Sequence, residues 1–289
     1  MDDRTNNSIK AVKVSIAGNV FLALLKLTLG ILAHSIALIS DGLDTAVDIV
    51  KVFVVFRGIN IAAKPADNLH PYGHGRAETI ASSIIGVSVI FAGLLIIIQS
   101  IQSFGKTNAL DTLMFIGAGA SIAGKVFLSK YMMTVGKKLS NQAITANAKD
   151  YLGDVFSSTA VVIGALLIRL TGRKYFDSIA SIVVALIIIY MGYKIIEGGA
   201  KEMMEEQDNP EIMEKVENIV NECTNAKNPH LIRMRRLGSY YIVDMHIEFP
   251  ENMSVKESHD IVNSLEHRIR EQLPEVQEVV VHIEPIGNG

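Results

Sequence analysis

Tryptophan is absent from this sequence, cysteine occurs once, and aromatic residues make up only 6% of its 289 positions. A lone Cys223 excludes an intrachain disulfide and fits a C-terminal region held in a reducing compartment. Charge of either sign is scarce in sum: the net charge is −3, and no nucleic-acid partner is expected. Residues 1–13 are polar and run into an apolar stretch with no small-residue cleavage pattern, so no secretory signal is expected. No Gly-Lys-Ser/Thr follows Gly73 and Gly75, which excludes a phosphate loop there.

What is present is long apolar sequence. Hydrophobic residues are 49% of the chain, mean hydropathy is +0.31, and they are concentrated before about position 198. A membrane-spanning helix needs about 20 mostly apolar residues. Six stretches qualify: 12–32, 36–61, 79–104, 110–133, 141–170 and 176–196. The link at 34–35 is short enough to demand a tight hairpin. Lys and Arg near the span ends divide nine (Arg4, Lys10, Lys13, Lys64, Arg76, Lys130, Lys137, Lys138, Lys201) against four (Lys106, Arg169, Arg173, Lys174). This bias places both termini in the cytoplasm.

The polar remainder has a different rhythm. Residues 201–209 read as a linker, and 210–223 as an amphipathic helix with Ile212, Val216, Ile219 and Val220 on one side. Residues 232–237 and 241–249 alternate as strands around a Gly238-Ser239 turn. Residues 254–273 form a helix with Ser254 as N-cap and Glu257 at the capping-box position, and 276–283 a last strand. The fold expected is an all-α six-helix transmembrane domain (12–200) behind a short cytoplasmic tail (1–11), then a small cytoplasmic α+β domain (210–289).

Two of the apolar stretches carry carboxylates that a bilayer disfavours by about 2.5–3.5 kcal/mol each on insertion scales. Asp44 and Asp48 are one turn apart in the second span, Asp150 and Asp154 in the fifth. Spacing of four puts each pair on one helix face. Asp41 and Asn147 extend both faces upstream, so polar oxygens stand at i, i+3 and i+7 in each. Four carboxylates around one point suit a divalent cation. They cannot all stay ionised in a dry cavity without it, so protons would be shared across the cluster. Asp67, His70 and His74 offer an oxygen and two imidazoles in the loop after the second span, a compact metal site. His230, His246, His259, His282 and Glu284 form a third candidate group in the C-terminal part. Asn19, Lys26 and Lys51 read as helix-packing hydrogen bonds or snorkelling side chains, although Lys51 follows Asp48 by three and could partner it. Gly86 and Gly93 read as points of close helix contact.

Together, the paired Asp-x-x-x-Asp motifs, the loop Pro65-Ala-Asp67…His70-Pro-Tyr-Gly-His74-Gly-Arg76-Ala-Glu78 and the α+β tail resemble the cation diffusion facilitators over almost the whole chain. The resemblance implies a homodimeric antiporter in a prokaryotic plasma membrane, not an enzyme, that exports divalent metal against protons. It implies a ferredoxin-like or metallochaperone-like tail, a transport site at Asp44, Asp48, Asp150 and Asp154, and metal at the loop and tail groups. An interlocking salt bridge would join Arg76 to Glu205. Zinc-transporting members commonly have His where Asp150 stands. An all-carboxylate site suits manganese better than zinc, and the pattern resembles the family's manganese branch. Mn²⁺ is therefore the expected substrate, with Fe²⁺, Co²⁺ or Zn²⁺ as other substrates or as regulatory ions. A zinc or iron exporter of the same family is the nearest alternative. Rival readings are an intramembrane aspartyl protease, weakly supported by Gly153-Asp154, a passive cation channel, and a non-transporting sensor.

Overall fold

The computed structural model describes residues 3–32, 36–102, 104, 112–171, 175–207, 209–223 and 227–287. The hairpin expected at 34–35 and the basic residues Lys106, Arg173 and Lys174 lie outside them, as do the side chains of Asp41, Asp44 and Arg169. The chain divides into two compact units, Met1–Gly199 and Ala200–Gly289.

The first unit is helical: α1 (Asp3–Leu32), α2 (Ile36–Ala62), α3 (Ala77–Gln102), α4 (Thr112–Lys138), α5 (Gln142–Thr171) and α6 (Tyr175–Met203). The first helix starts well before the apolar stretch, because its polar opening turns also pack: Ser8, Ala11 and Val12 are fully buried. Among the described residues, three helices are both long and apolar enough to cross a membrane: Asp3–Leu29, Ala77–Gln102 and Ser181–Met203. The expectation was six. Of the other three, α2 carries three aspartates, Lys51 and Arg57 in 27 residues.

Hydrophobic exposure follows the membrane reading. Phe21, Leu24, Phe53, Phe91, Phe127 and Leu186 are all more than half exposed, a density of bare apolar surface that marks contact with lipid or a partner. The interior holds Val52, Val55 and Ile59 of α2, Ile85 and Val89 of α3, Leu128 and Met132 of α4, Ile144 and Tyr151 of α5, and Ile188 and Ile195 of α6. Lipid tails are as apolar as these side chains, so close backbone approach, not water exclusion, must hold such helices together. The crossing of α3 and α6 shows it. A Cβ placed on Gly192 would stand 2.9 Å from the Gly86 carbonyl oxygen, and one on Gly86 would stand 3.2 Å from that of Gly192. Gly93 repeats the approach against Ala185 and Ile189.

The second unit holds α7 (Pro210–Asn221), β1 (Lys227–Leu237), β2 (Tyr240–Phe249), α8 (Val255–Gln272) and β3 (Val276–Pro285). The sheet order is β1-β2-β3, with β1 and β2 antiparallel and β2 and β3 parallel. Gly238, at φ 64, makes the two-residue turn between β1 and β2. One sheet face presents Val243, Met245 and Ile247 to Val216 and Val220 of α7 and to Val262, Leu265 and Ile269 of α8. Each such side chain contributes about 1.5–3 kcal/mol on leaving water.

Asn209 caps α7 by accepting from the Ile212 N–H, with Pro210 at the first helical position. Ser254 and Glu257 form the reciprocal capping box on α8. The Ser254 hydrogen bonds hold the Glu257 carboxyl below its usual range. Ser254→Ala is expected to destabilise this unit by about 1 kcal/mol, read as an earlier urea midpoint by the near-ultraviolet signal of its tyrosines.

Candidate metal centre

The i,i+4 spacing on α5 and the position of Asp48 on α2 bring three carboxylates to one point between helices. One oxygen from each of Asp48, Asp150 and Asp154 lies within 4.8 Å of the others. Asp48 and Asp150 are 6% and 3% exposed, while the Asp154 side chain keeps 35% exposure and forms the open edge of the group. Two lysines enter the same group. Lys51 Nζ lies 2.8 Å from Asp48 Oδ1 and 3.0 Å from both oxygens of Asp150. Lys125, on α4 and 2% exposed, donates to Asp48 and, at 2.8 Å, to Asp154 Oδ2. Its ammonium also sits 4.6 Å from the ring centroid of Tyr151, which is itself fully buried. The Tyr151 hydroxyl shares a hydrogen bond with Ser15 and accepts one from Asn19, tying α1 to this face of α5. Asn147 is fully buried one turn before Asp150, and its amide forms no hydrogen bond with a described residue.

The loop before α3 builds a second group. The Asp67 carboxylate accepts from the backbone N–H of His70 at 2.7 Å and of Leu69 at 2.9 Å. The His70 bond leads in holding the carboxyl below its usual range, so it is ionised at neutral pH. His74 Nδ1 lies 3.2 Å from the Pro65 carbonyl oxygen and must donate to it. Its Nε2 lone pair is then left 3.5 Å from Asp67 Oδ2. Two acceptors face each other, with the His70 ring 4.3 Å from that of His74. One oxygen and two imidazoles in this arrangement fit a divalent transition metal.

Strand register builds the third group. His230, His246 and His282 occupy one row across β1, β2 and β3. Two irregularities in β1, with Asn228 and Leu231 at φ 48, bring His230 into that row. Glu284 completes the group: His246 Nδ1 donates to Oε1 at 2.8 Å, and His230 Nε2 lies 3.2 Å from Oε2. The His246 bond leads in holding the Glu284 carboxyl low. His282 stands beside it, 3.6 Å from Oε1. His259 does not join this group. It is exposed on α8, which packs on the opposite face of the sheet from His246.

The cation efflux transmembrane domain matches residues 12–204, and the cytoplasmic domain of cation efflux proteins matches 209–286. The chain belongs to the cation diffusion facilitator family. This facilitator is a metal efflux transporter and an integral membrane protein, not an enzyme. It is 31% identical over 290 residues to the manganese efflux system protein MneP of Bacillus subtilis (strain 168), covering 98% of each chain. With MneS of the same organism, also called a manganese efflux system protein, it shares 31% identity over 276 residues and 94% of each chain. The metal-bound C-terminal domain of the CzcD transporter from Thermotoga maritima is 28% identical, with a TM-score of 0.28 over 29% of this chain and 96% of that one.

In the facilitator, sequence reasoning missed Lys125 and underrated Lys51. Lys51 is not a packing or snorkelling residue: it pairs with two of the site aspartates. Lys26 and Asn19 do act in packing, Lys26 donating to Thr45 and Asn19 to the Ser15 carbonyl and to Tyr151. The signal for Lys125 was a charged residue in mid-span, in a chain whose other spans hold unmatched aspartates. Arg76 opens α3, and Glu205, at φ 61, follows α6, each in a different compact unit. Two residues after Arg76, Glu78 carries an ion pair of its own. Arg4 donates to both oxygens of Glu78 at 2.9 and 2.8 Å and to the Leu139 carbonyl, while Asn141 donates to Glu78 at 3.0 Å.

Proposed function

We propose that this facilitator exports Mn²⁺ from the cytoplasm in exchange for protons. Convergence of Asp48, Asp150 and Asp154, with no imidazole among them, carries the reading. Hard oxygen donors suit manganese better than the nitrogen-containing sets that zinc favours, and metal affinity order makes geometry the discriminator. The names of MneP and MneS support the same substrate. Asp44, one turn before Asp48, is the fourth ligand, and Asp41 and Asn147 are auxiliary polar groups. Fe²⁺, Co²⁺ and Zn²⁺ are poorer substrates.

All six helices cross the bilayer and both termini are cytoplasmic. α2, α4 and α5 bury Asp48, Lys125 and Asp150 between helices, where intramembrane ionisable groups belong. Carboxylates this close cannot all stay charged alone, so metal and protons alternate on the cluster. Asp67, His70 and His74 hold a second metal. The tail dimerises the chain and senses cytosolic metal through His230, His246, His282 and Glu284. Metal there would bias the conformational equilibrium by its differential affinity. Arg76 and Glu205 form an interlock between membrane and tail domains.

Proteoliposomes containing a pH-sensitive dye test the reading. An imposed Mn²⁺ gradient is expected to drive opposite proton flux in wild type, and Asp150→His to shift preference from Mn²⁺ toward Zn²⁺. Mn²⁺ flux with no proton movement removes the exchange mechanism. Zn²⁺ preference in the wild type removes the substrate.

A further inference from the structure

We propose that Lys51 and Lys125 are tethered counter-cations, whose ammonium groups compete with the transported metal for the same carboxylate oxygens and fill that position while the carrier returns without cargo. The inference rests on the exchange reading above.

Three observations carry it. First, the lysines contact the ligand atoms themselves, not the rim: Lys51 reaches Asp48 and both oxygens of Asp150, and Lys125 reaches Asp48 and Asp154. Every carboxylate of the described group is held by at least one ammonium. Second, the lysines come from separate helices, α2 and α4, so two tethered ammonium groups reach one group of carboxylates from different elements. Third, Lys125 is supported from outside the acidic group by the Tyr151 ring, which Ser15 and Asn19 hold in place. That ring is a second resting place for the ammonium when the oxygens are taken.

A dication bonded to these oxygens would stand within a few ångströms of both ammonium groups, where low dielectric makes like-charge repulsion severe. Metal entry must therefore push the lysines aside. Metal release lets them return, and the carboxylates then reorient largely neutralised.

The test separates the loaded step from the empty one. Proteoliposomes would be assayed for net Mn²⁺ uptake into metal-free vesicles and for ⁵⁴Mn²⁺ exchange at equal Mn²⁺ on both sides. Net uptake requires the empty carrier to return, and exchange does not. In Lys125→Gln the ratio of net to exchange rate is expected to fall about tenfold or more, the scale of losing a buried charge partner. The apparent KM for Mn²⁺ should fall with it, since a competitor is gone. Lys125→Arg, which keeps a tethered cation, should restore most of the ratio. Lys51→Gln is read in the same way and guards against a folding failure at position 125. An unchanged ratio, or net and exchange rates lost in equal proportion in both glutamine variants, overturns the proposal. Absence of proton flux in the wild type would instead remove the proton-exchange reading and leave this ratio measurable.

Discussion

Asp150→Ala should abolish Mn²⁺ transport, with a loss beyond the ~10–100-fold that removal of an outer-shell partner costs a metal site. Asp150 is 3% exposed, and it supplies one of three oxygens gathered within 4.8 Å. No described carboxylate stands ready to replace it. The fold should tolerate the change, because Lys51 keeps Asp48 at 2.8 Å when Asp150 is gone. Asp150→Asn preserves the volume and removes the charge, so it separates ligand loss from packing. Initial rates of metal uptake in proteoliposomes, normalised to protein recovered as a single species in detergent, check the result. Rates within threefold of wild type would take Asp150 out of the transport site.

Arg4→Ala should cost about 3–5 kcal/mol of stability, the range measured when one partner of a buried ion pair is removed. Glu78 is 1% exposed, and its carboxylate depends on the Arg4 fork and the Asn141 amide. With Arg4 gone, a buried carboxylate loses both of its guanidinium bonds. Arg4 also bonds the Leu139 carbonyl, so the same change loosens the turn joining α4 to α5. Thermal unfolding of the detergent-purified protein reads the loss. The Arg4→Ala, Glu78→Ala double variant should recover part of it, because the buried carboxylate is removed with its cation. If the double variant's loss equals the sum of the two single losses, the two side chains are not coupled.

The tail was legible in the sequence almost element by element. Its strands alternate and its helices carry caps, and both signals are local. Ser254 with Glu257 announces α8, and Gly238 marks the turn. The start of β1 was not legible, because residues 227–231 pair through irregular register and two left-handed residues that leave no alternation to detect. The same irregularity places His230 opposite His246. His259 was grouped with them because sequence proximity says nothing about which face of a sheet a helix covers.

In the membrane domain, spacing revealed the aspartates, since a helix fixes the angle between residues four apart. Spacing cannot show which residues of other helices meet them. Lys125 lies 77 positions from Asp48 and 29 from Asp154. Only the assembled bundle joins them. Arg4, outside the apolar stretch, was counted as a topology charge. Its partner is 74 positions away, inside the first turn of α3.

The glycine crossing limits how this molecule can move. With Gly86 and Gly192 pressed backbone to backbone, and Gly93 against α6 two turns on, the α3–α6 pair has no clearance in which to slide. It behaves as a fixed post. Any change that opens the carboxylates first to one side of the bilayer and then to the other falls to α1, α2, α4 and α5, the helices that carry every charge and hydroxyl of the site.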